Sequence, residues 1–137
     1  KGCRNCPYIP RSVRGNRIRN GLVLEHIEVL WYYDRPIITL CRDGETFYLL
    51  NVEDEQLNTF FLYQISKENL YFLLSGMITI RKAIEESLCW SSIIEYQDNH
   101  YIVRIPISIK KSFEKDEYEC SLDGFDSLAI KLFHGDD

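Results

Sequence analysis

Between residues 24 and 52 β-rich apolar runs separated by turn residues read as three consecutive strands, with side chains that share one face recurring at a period of two. Ile27, Val29, Trp31 and Tyr33 fall on alternate positions of a first strand. Asp34-Arg35-Pro36 then predicts a turn, because proline has no N–H to give to a central ladder. Residues 36–42 and 45–52 read as the next two strands, joined by Asp43-Gly44, a pair suited to a type I′ turn whose two central residues need φ > 0. That turn sets Arg42 opposite Glu45, Leu40 opposite Phe47 and Ile38 opposite Leu49. Ile38, Leu40, Phe47 and Leu49 then form a buried face, while Ile37, Thr39, Cys41, Thr46, Tyr48 and Leu50 form a mixed and partly wet one.

The pattern continues through an acidic turn, Glu53-Asp54-Glu55, into a fourth strand over 57–65 with Thr59, Phe61, Tyr63 and Ile65 on one face. The period then lengthens. Ser66 is placed to cap a helix whose inward side is Leu70, Leu73, Leu74 and Met77, with Gly76 as its stop. Thr79 opens a second short helix that turns Ile80, Ala83 and Ile84 inward and Arg81, Lys82, Glu85 and Glu86 outward. Residues 88–96 and 101–107 make a second hairpin around Asp98-Asn99, pairing Tyr96 with Tyr101 and Ile94 with Val103. Pro106 puts the last strand at an edge or ends it, and an exposed edge invites strand addition by another chain. Residues 110–119 read as a charge-mixed linker, and the apolar piece from Leu122 to Phe133 fits a strand or a short helix equally well. The expected fold is α+β: an antiparallel sheet, built from a meander and a second hairpin, with two short helices packed on one face.

At 137 residues the chain is expected to be one domain, and 45% apolar and 13% aromatic content supports a true core. Its longest mostly apolar stretch, 70–80, is too short to span a bilayer. The N-terminal charges lead into no apolar run, so no signal peptide is expected, and five cysteines, an odd number, fit reduced thiols in the cytoplasm. The charge is split. Residues 1–20 hold Lys1, Arg4, Arg11, Arg14, Arg17 and Arg19 with no acid, leaving 10 basic and 21 acidic side chains, a net of −11, in residues 21–137. A basic N-terminal arm (1–20) thus precedes a single acidic domain (21–137), whose field repels nucleic acid and attracts basic surfaces.

The arm admits two readings: a flexible or docked tail, or a phosphate grip through Arg4, Arg11, Arg14, Arg17 and Arg19. Cys3 and Cys6 have the spacing of half a tetrahedral zinc site, but Cys41, Cys89, Cys120 and the three histidines offer no second half at a matching spacing. Pro7 and Pro10 follow the pair where a thioredoxin-type motif would open a helix. Catalysis finds little support. Cys41 and Cys89 lie in apolar strands, His26 has only Glu25 and Glu28 as sequence neighbours to hold it, and there is no glycine-rich phosphate loop. No cofactor is expected.

Tyr33-Asp34-x-Pro36 opening a strand, the Asp43-Gly44 hairpin and Ile78-x-Ile80-Arg81-x-Ala83 together resemble an uncharacterised bacterial domain family of unknown function. The resemblance spans residues 22–106, leaves the arm unmatched and rests on turn and helix signals, so it implies no catalytic residue. The residues themselves point to a non-catalytic protein-interaction or regulatory module, of the kind that immunity proteins, antitoxins and subunits of bacterial antiviral defence assemblies represent. Its expected partner is a basic protein, met by the aromatic residues Trp31, Tyr33 and Tyr48 within the acidic field. The alternative is a nucleic-acid-binding accessory subunit that uses the arginine arm.

Overall fold

The structure, a computed structural model, describes residues 18–134. Six strands run in order: β1 (Val23–Tyr32), β2 (Pro36–Asp43), β3 (Thr46–Asp54), β4 (Thr59–Ile65), β5 (Leu88–Gln97) and β6 (His100–Ile109). Helices α1 (Lys67–Leu74) and α2 (Ile80–Glu85) lie between β4 and β5, and α3 (Asp126–Phe133) follows β6. Every neighbouring pair is antiparallel, and β1 also pairs with β6, so the sheet closes into a barrel. The closing seam is short: Val23 with Ile102, Leu24 with Tyr101 and Glu25 with His100.

Closure changes the fate of the face expected to be partly wet. Thr39, Cys41, Tyr48 and Leu50 are all buried. Cys41, Tyr48 and Leu50 join Leu24, Leu62, Trp90, Ile94 and Val103 in a cluster drawn from all six strands, the filled lumen of a small barrel. The opposite face of the meander feeds a second cluster, in which Ile38, Leu40, Phe47, Leu49, Tyr63 and Ile65 meet Leu70, Leu73, Leu74, Ile80, Ala83, Ile84 and Ala129 of the three helices. Strands β2 and β3 are therefore buried on both sides.

The first hairpin corrects the expected register. Asp43 pairs with Thr46, Arg42 with Phe47, Leu40 with Leu49 and Ile38 with Asn51. The turn's central residues are Gly44 and Glu45, and only Gly44 has a positive φ, of 61°. Glycine in the first central position is the type II′ requirement, and it outcompeted the I′ reading of Asp-Gly. The slip is two residues, an even number, so Ile38, Leu40, Phe47 and Leu49 keep their shared face. At the second hairpin Asp98 and Asn99 both take positive φ, and Tyr96 pairs with Tyr101 and Ile94 with Val103, as the sequence predicts.

In β1 strict alternation fails. Register shifts between His26 and Glu28 and between Val29 and Trp31 rotate the strand, so Leu24 joins the lumen while Leu30 joins the helix-side cluster. A further irregularity falls in β6, where Ser91 and Ile93 face Ile107 and Arg104. The extra residues include Ile105, whose φ of 52° is strained for a β-branched side chain, and whose N–H donates to Asn20 Oδ1 at 2.9 Å. Pro106 lies within β6 beyond the seam with β1, on a stretch that is an edge in fact.

Local signals set the helices. Ser66 Oγ accepts from Asn69 N at 3.1 Å, and Thr79 Oγ1 accepts from Lys82 N at 3.0 Å. At the end of α1, Met77 N donates to Phe72 O and Gly76 N to Leu73 O, with Gly76 at φ 74°. This Schellman arrangement turns the chain away before Met77, which is exposed rather than inward. A Cβ on Gly76 would meet Leu122 O at 3.0 Å, a close approach that only glycine allows. The expected linker over 110–119 is docked: Ile80 N donates to Cys120 O, Arg81 N to Tyr118 O, and Tyr118 packs edge-on to Trp31. The C-terminal apolar piece resolves as helix α3.

Two outcomes follow for stability. Trp90→Ala empties the centre of the lumen and is expected to cost about 3–5 kcal/mol in chemical denaturation. The second concerns alkali. Burial pushes the Cys41 thiol well up, the Cys89 thiol to about 11 and the Tyr101 hydroxyl to about 12. The folded chain then holds protons that the unfolded chain releases from 9.0 for thiols and 10.0 for tyrosine. Stability present below pH 9.0 is lost as pH rises toward about 12. Thermal midpoints measured across that range should fall, and Tyr101→Phe should flatten the fall above pH 10.0.

Candidate functional site

Alternating strand direction gathers the β1–β2 loop (33–35), the β3–β4 loop (55–58) and the Asp98-Asn99 turn at one end of the barrel. A cleft of about 260 Å³ opens there between Arg35, Pro36, Glu55, Asn58, Phe60 and Tyr101, with Thr39 and Leu50 of the lumen side at its base. Arg35 Nε reaches Glu55 Oε1 at 3.7 Å, an exposed pair across the lip that is worth little by itself. Loop geometry is set from within. Asp54 Oδ1 accepts from Gln56 N and Leu57 N, and Asn58 takes φ 56° to return the chain into β4. On the far wall His26 Nδ1 lies 3.0 Å from Tyr101 Oη, and Tyr96 packs on Tyr101 with ring centroids 5.0 Å apart. Tyr96 Oη donates to Asn99 Oδ1 at 2.8 Å, which fixes that ring beside the turn.

Four large side chains at this end face water: Tyr32 at 64%, Tyr33 at 73%, Leu57 at 66% and Tyr96 at 60% exposed. Asp34, Glu53, Asp54, Glu55, Glu95 and Asp98 lie in the same loops and strand ends. Apolar anchors set in a negative rim are suited to desolvation by a positively charged surface.

The structure separates the three aromatic residues named from sequence. Tyr33 is at the exposed end. Trp31 is half-buried, edge-on to Tyr118 at 5.5 Å and packed on the helix-side cluster. Tyr48 is only 6% exposed and faces the lumen, so it is no surface anchor; closure of the barrel buried the face that the open-sheet reading left partly wet. The residues the sequence reading missed are Tyr32, Leu57 and Tyr96. Tyr96 was signalled, since an aromatic residue next to a two-residue turn has little core left to enter.

Of the nucleic-acid candidates, Arg19 is exposed where the chain enters β1, while Arg4, Arg11, Arg14 and Arg17 lie outside the described residues, as do Cys3 and Cys6. Among the described residues no group of three His, Cys, Asp or Glu side chains is placed to hold a metal ion. His26 meets Tyr101 rather than Glu28, and Glu25 accepts from Arg42 Nε at 3.3 Å, so the acid–histidine pair weighed from sequence is not assembled. Cys41, Cys89 and Cys120 are free, and the raised values of Cys41 and Cys89 keep both as thiols, poor nucleophiles at neutral pH. No helix among the described residues is long and apolar enough to cross a membrane.

No protein-family model matches this chain, and no match was found among curated proteins or solved structures.

Proposed function

We propose that this chain is a non-catalytic interaction module that binds a basic protein through the acidic, aromatic end of its barrel. One observation carries the reading: Tyr32, Tyr33, Leu57 and Tyr96 are exposed in loops and strand ends that also carry carboxylates, on a domain of net charge −11 over residues 21–137. Exposed aromatic side chains of this size cost stability in water and repay it when a partner covers them. The carboxylates steer a cationic partner toward them and disfavour nucleic acid. An immunity-like or antitoxin-like role, neutralising a basic effector in a bacterial cytoplasm, fits that chemistry. The arginine arm supports a second role, contact with nucleic acid in a larger assembly, because six cations and no acid stand in residues 1–20.

The test is comparative capture. Tagged wild-type chain and a Tyr33→Ala/Leu57→Ala/Tyr96→Ala variant of equal thermal midpoint are exposed to the same lysate, and basic proteins retained by the first should be lost by the second. With the captured protein in hand, raising salt should slow association, whereas Tyr33→Ala alone should speed dissociation about 10- to 30-fold, as for an anchor worth about 1.5–2 kcal/mol. Equal retention by both chains would sink the proposal. Loss of nucleic acid on deleting residues 1–19, with protein capture intact, would favour the arm's separate role.

A further inference from the structure

A second cleft, far in sequence from the first, lies where α2 and the segment after β6 cross strands β4 and β5. It measures about 410 Å³ and is bordered by Tyr63, Ile84, Cys89, Lys110, Lys111 and Phe113. We propose that it binds a small carboxylate with an apolar body. Tyr63 is completely buried, yet its Oη has no oxygen or nitrogen hydrogen-bond partner. A folded protein seldom leaves a buried hydroxyl unpaired unless something else supplies the acceptor. The Cys89 thiol beside it is a weak partner, and both side chains line the cleft.

Two lysines, Lys110 and Lys111, border the same cleft as that hydroxyl. Burial holds both the Tyr63 hydroxyl and the Cys89 thiol protonated at neutral pH. Lys111 adds a positive charge at a fixed place: its Nζ sits 4.7 Å from the Phe61 ring centroid, 4.6 Å from that of Phe113 and 5.9 Å from that of Tyr118. Among the described residues neither Lys110 nor Lys111 has a carboxylate within ion-pair distance, unlike Arg81, which engages Glu85 and Glu119. Glu85, the acid on the rim, is paired with Arg81 Nε at 3.0 Å and not with either lysine. A cleft where a buried hydroxyl and two lysine ammoniums meet a single, already paired carboxylate favours an anionic ligand, and a carboxylate takes two such donors at once. Ile84 and the Phe113 ring supply apolar walls that a bare inorganic anion would leave unused.

The probe is para-fluorobenzoate, followed by fluorine NMR on the full chain. Saturable binding is expected with a dissociation constant of about 1 mM or tighter, while inorganic phosphate fails to displace it and neutral para-fluorobenzamide binds at least about 10-fold more weakly. Lys111→Met should weaken the probe about 10-fold. Tyr63→Phe should weaken it about 3- to 10-fold while leaving the thermal midpoint without ligand unchanged or higher, because it deletes an unpaired buried hydroxyl. A drop in that midpoint would mark the hydroxyl as bonded within the fold and overturn the proposal. So would displacement by phosphate, absence of saturation at about 10 mM probe, or equal affinity in wild type and Tyr63→Phe.

Discussion

Strand β3 runs Phe47-Tyr48-Leu49-Leu50-Asn51 without an exposed position, and its neighbours β2 and β4 share that property over much of their length. A strand of this kind needs protein against both faces, because its side chains alternate between them. Closing the sheet into a barrel satisfies one face, and laying α1, α2 and α3 across the other satisfies the second. The remaining architecture answers to that double demand. The polar exception within β3 is also accounted for: Asn51 donates to Ile37 O and accepts from the Tyr118 hydroxyl, so burial costs it no hydrogen bond.

The same arrangement decides where surface chemistry can be. With helices over the meander and side chains filling the lumen, large groups reach water mainly at the barrel's ends and along β6. The loops at one end carry carboxylates and tyrosines together, whereas the cations Lys110 and Lys111 are held on the flank by the segment that crosses α2. That flank is fastened by rings as well as by the Arg81–Glu119 ion pair. Arg81 lies 5.4 Å and Lys111 4.6 Å from the Phe113 centroid, so a single aromatic ring meets two cations.

What was legible in the sequence was local. Ser66 and Thr79 announced their helices because a cap is a contact over three residues, and the Asp98-Asn99 hairpin announced its register because both turn residues tolerate positive φ. The antiparallel character of the sheet followed from short turns. The first hairpin lies two positions from the expected register because Gly44 satisfies either kind of primed turn, depending on whether it stands first or second. Tyr48 was misplaced for a deeper reason. When both faces of a strand are buried, alternation no longer distinguishes inside from outside, and only the pairing of β1 with β6 tells which face becomes lumen. The shifts in β1 hid Leu30 in the same way.

That pairing has a consequence in time. Hairpins β2–β3 and β5–β6 close over two-residue turns, whereas the seam must bring Val23 to Ile102 and wins only three residue pairs when it does. Loop closure over such a separation is slow and is repaid late, so the seam belongs after the transition state of folding rather than before it. Until it zips, Trp90 and Cys41 look into water, and the free edges of β1 and β6 present the same pairing surface to each other and to a second copy of the chain. At high concentration the first strand of one molecule can complete the barrel of another with no new contact required, an exchange for which dilution during refolding is the remedy.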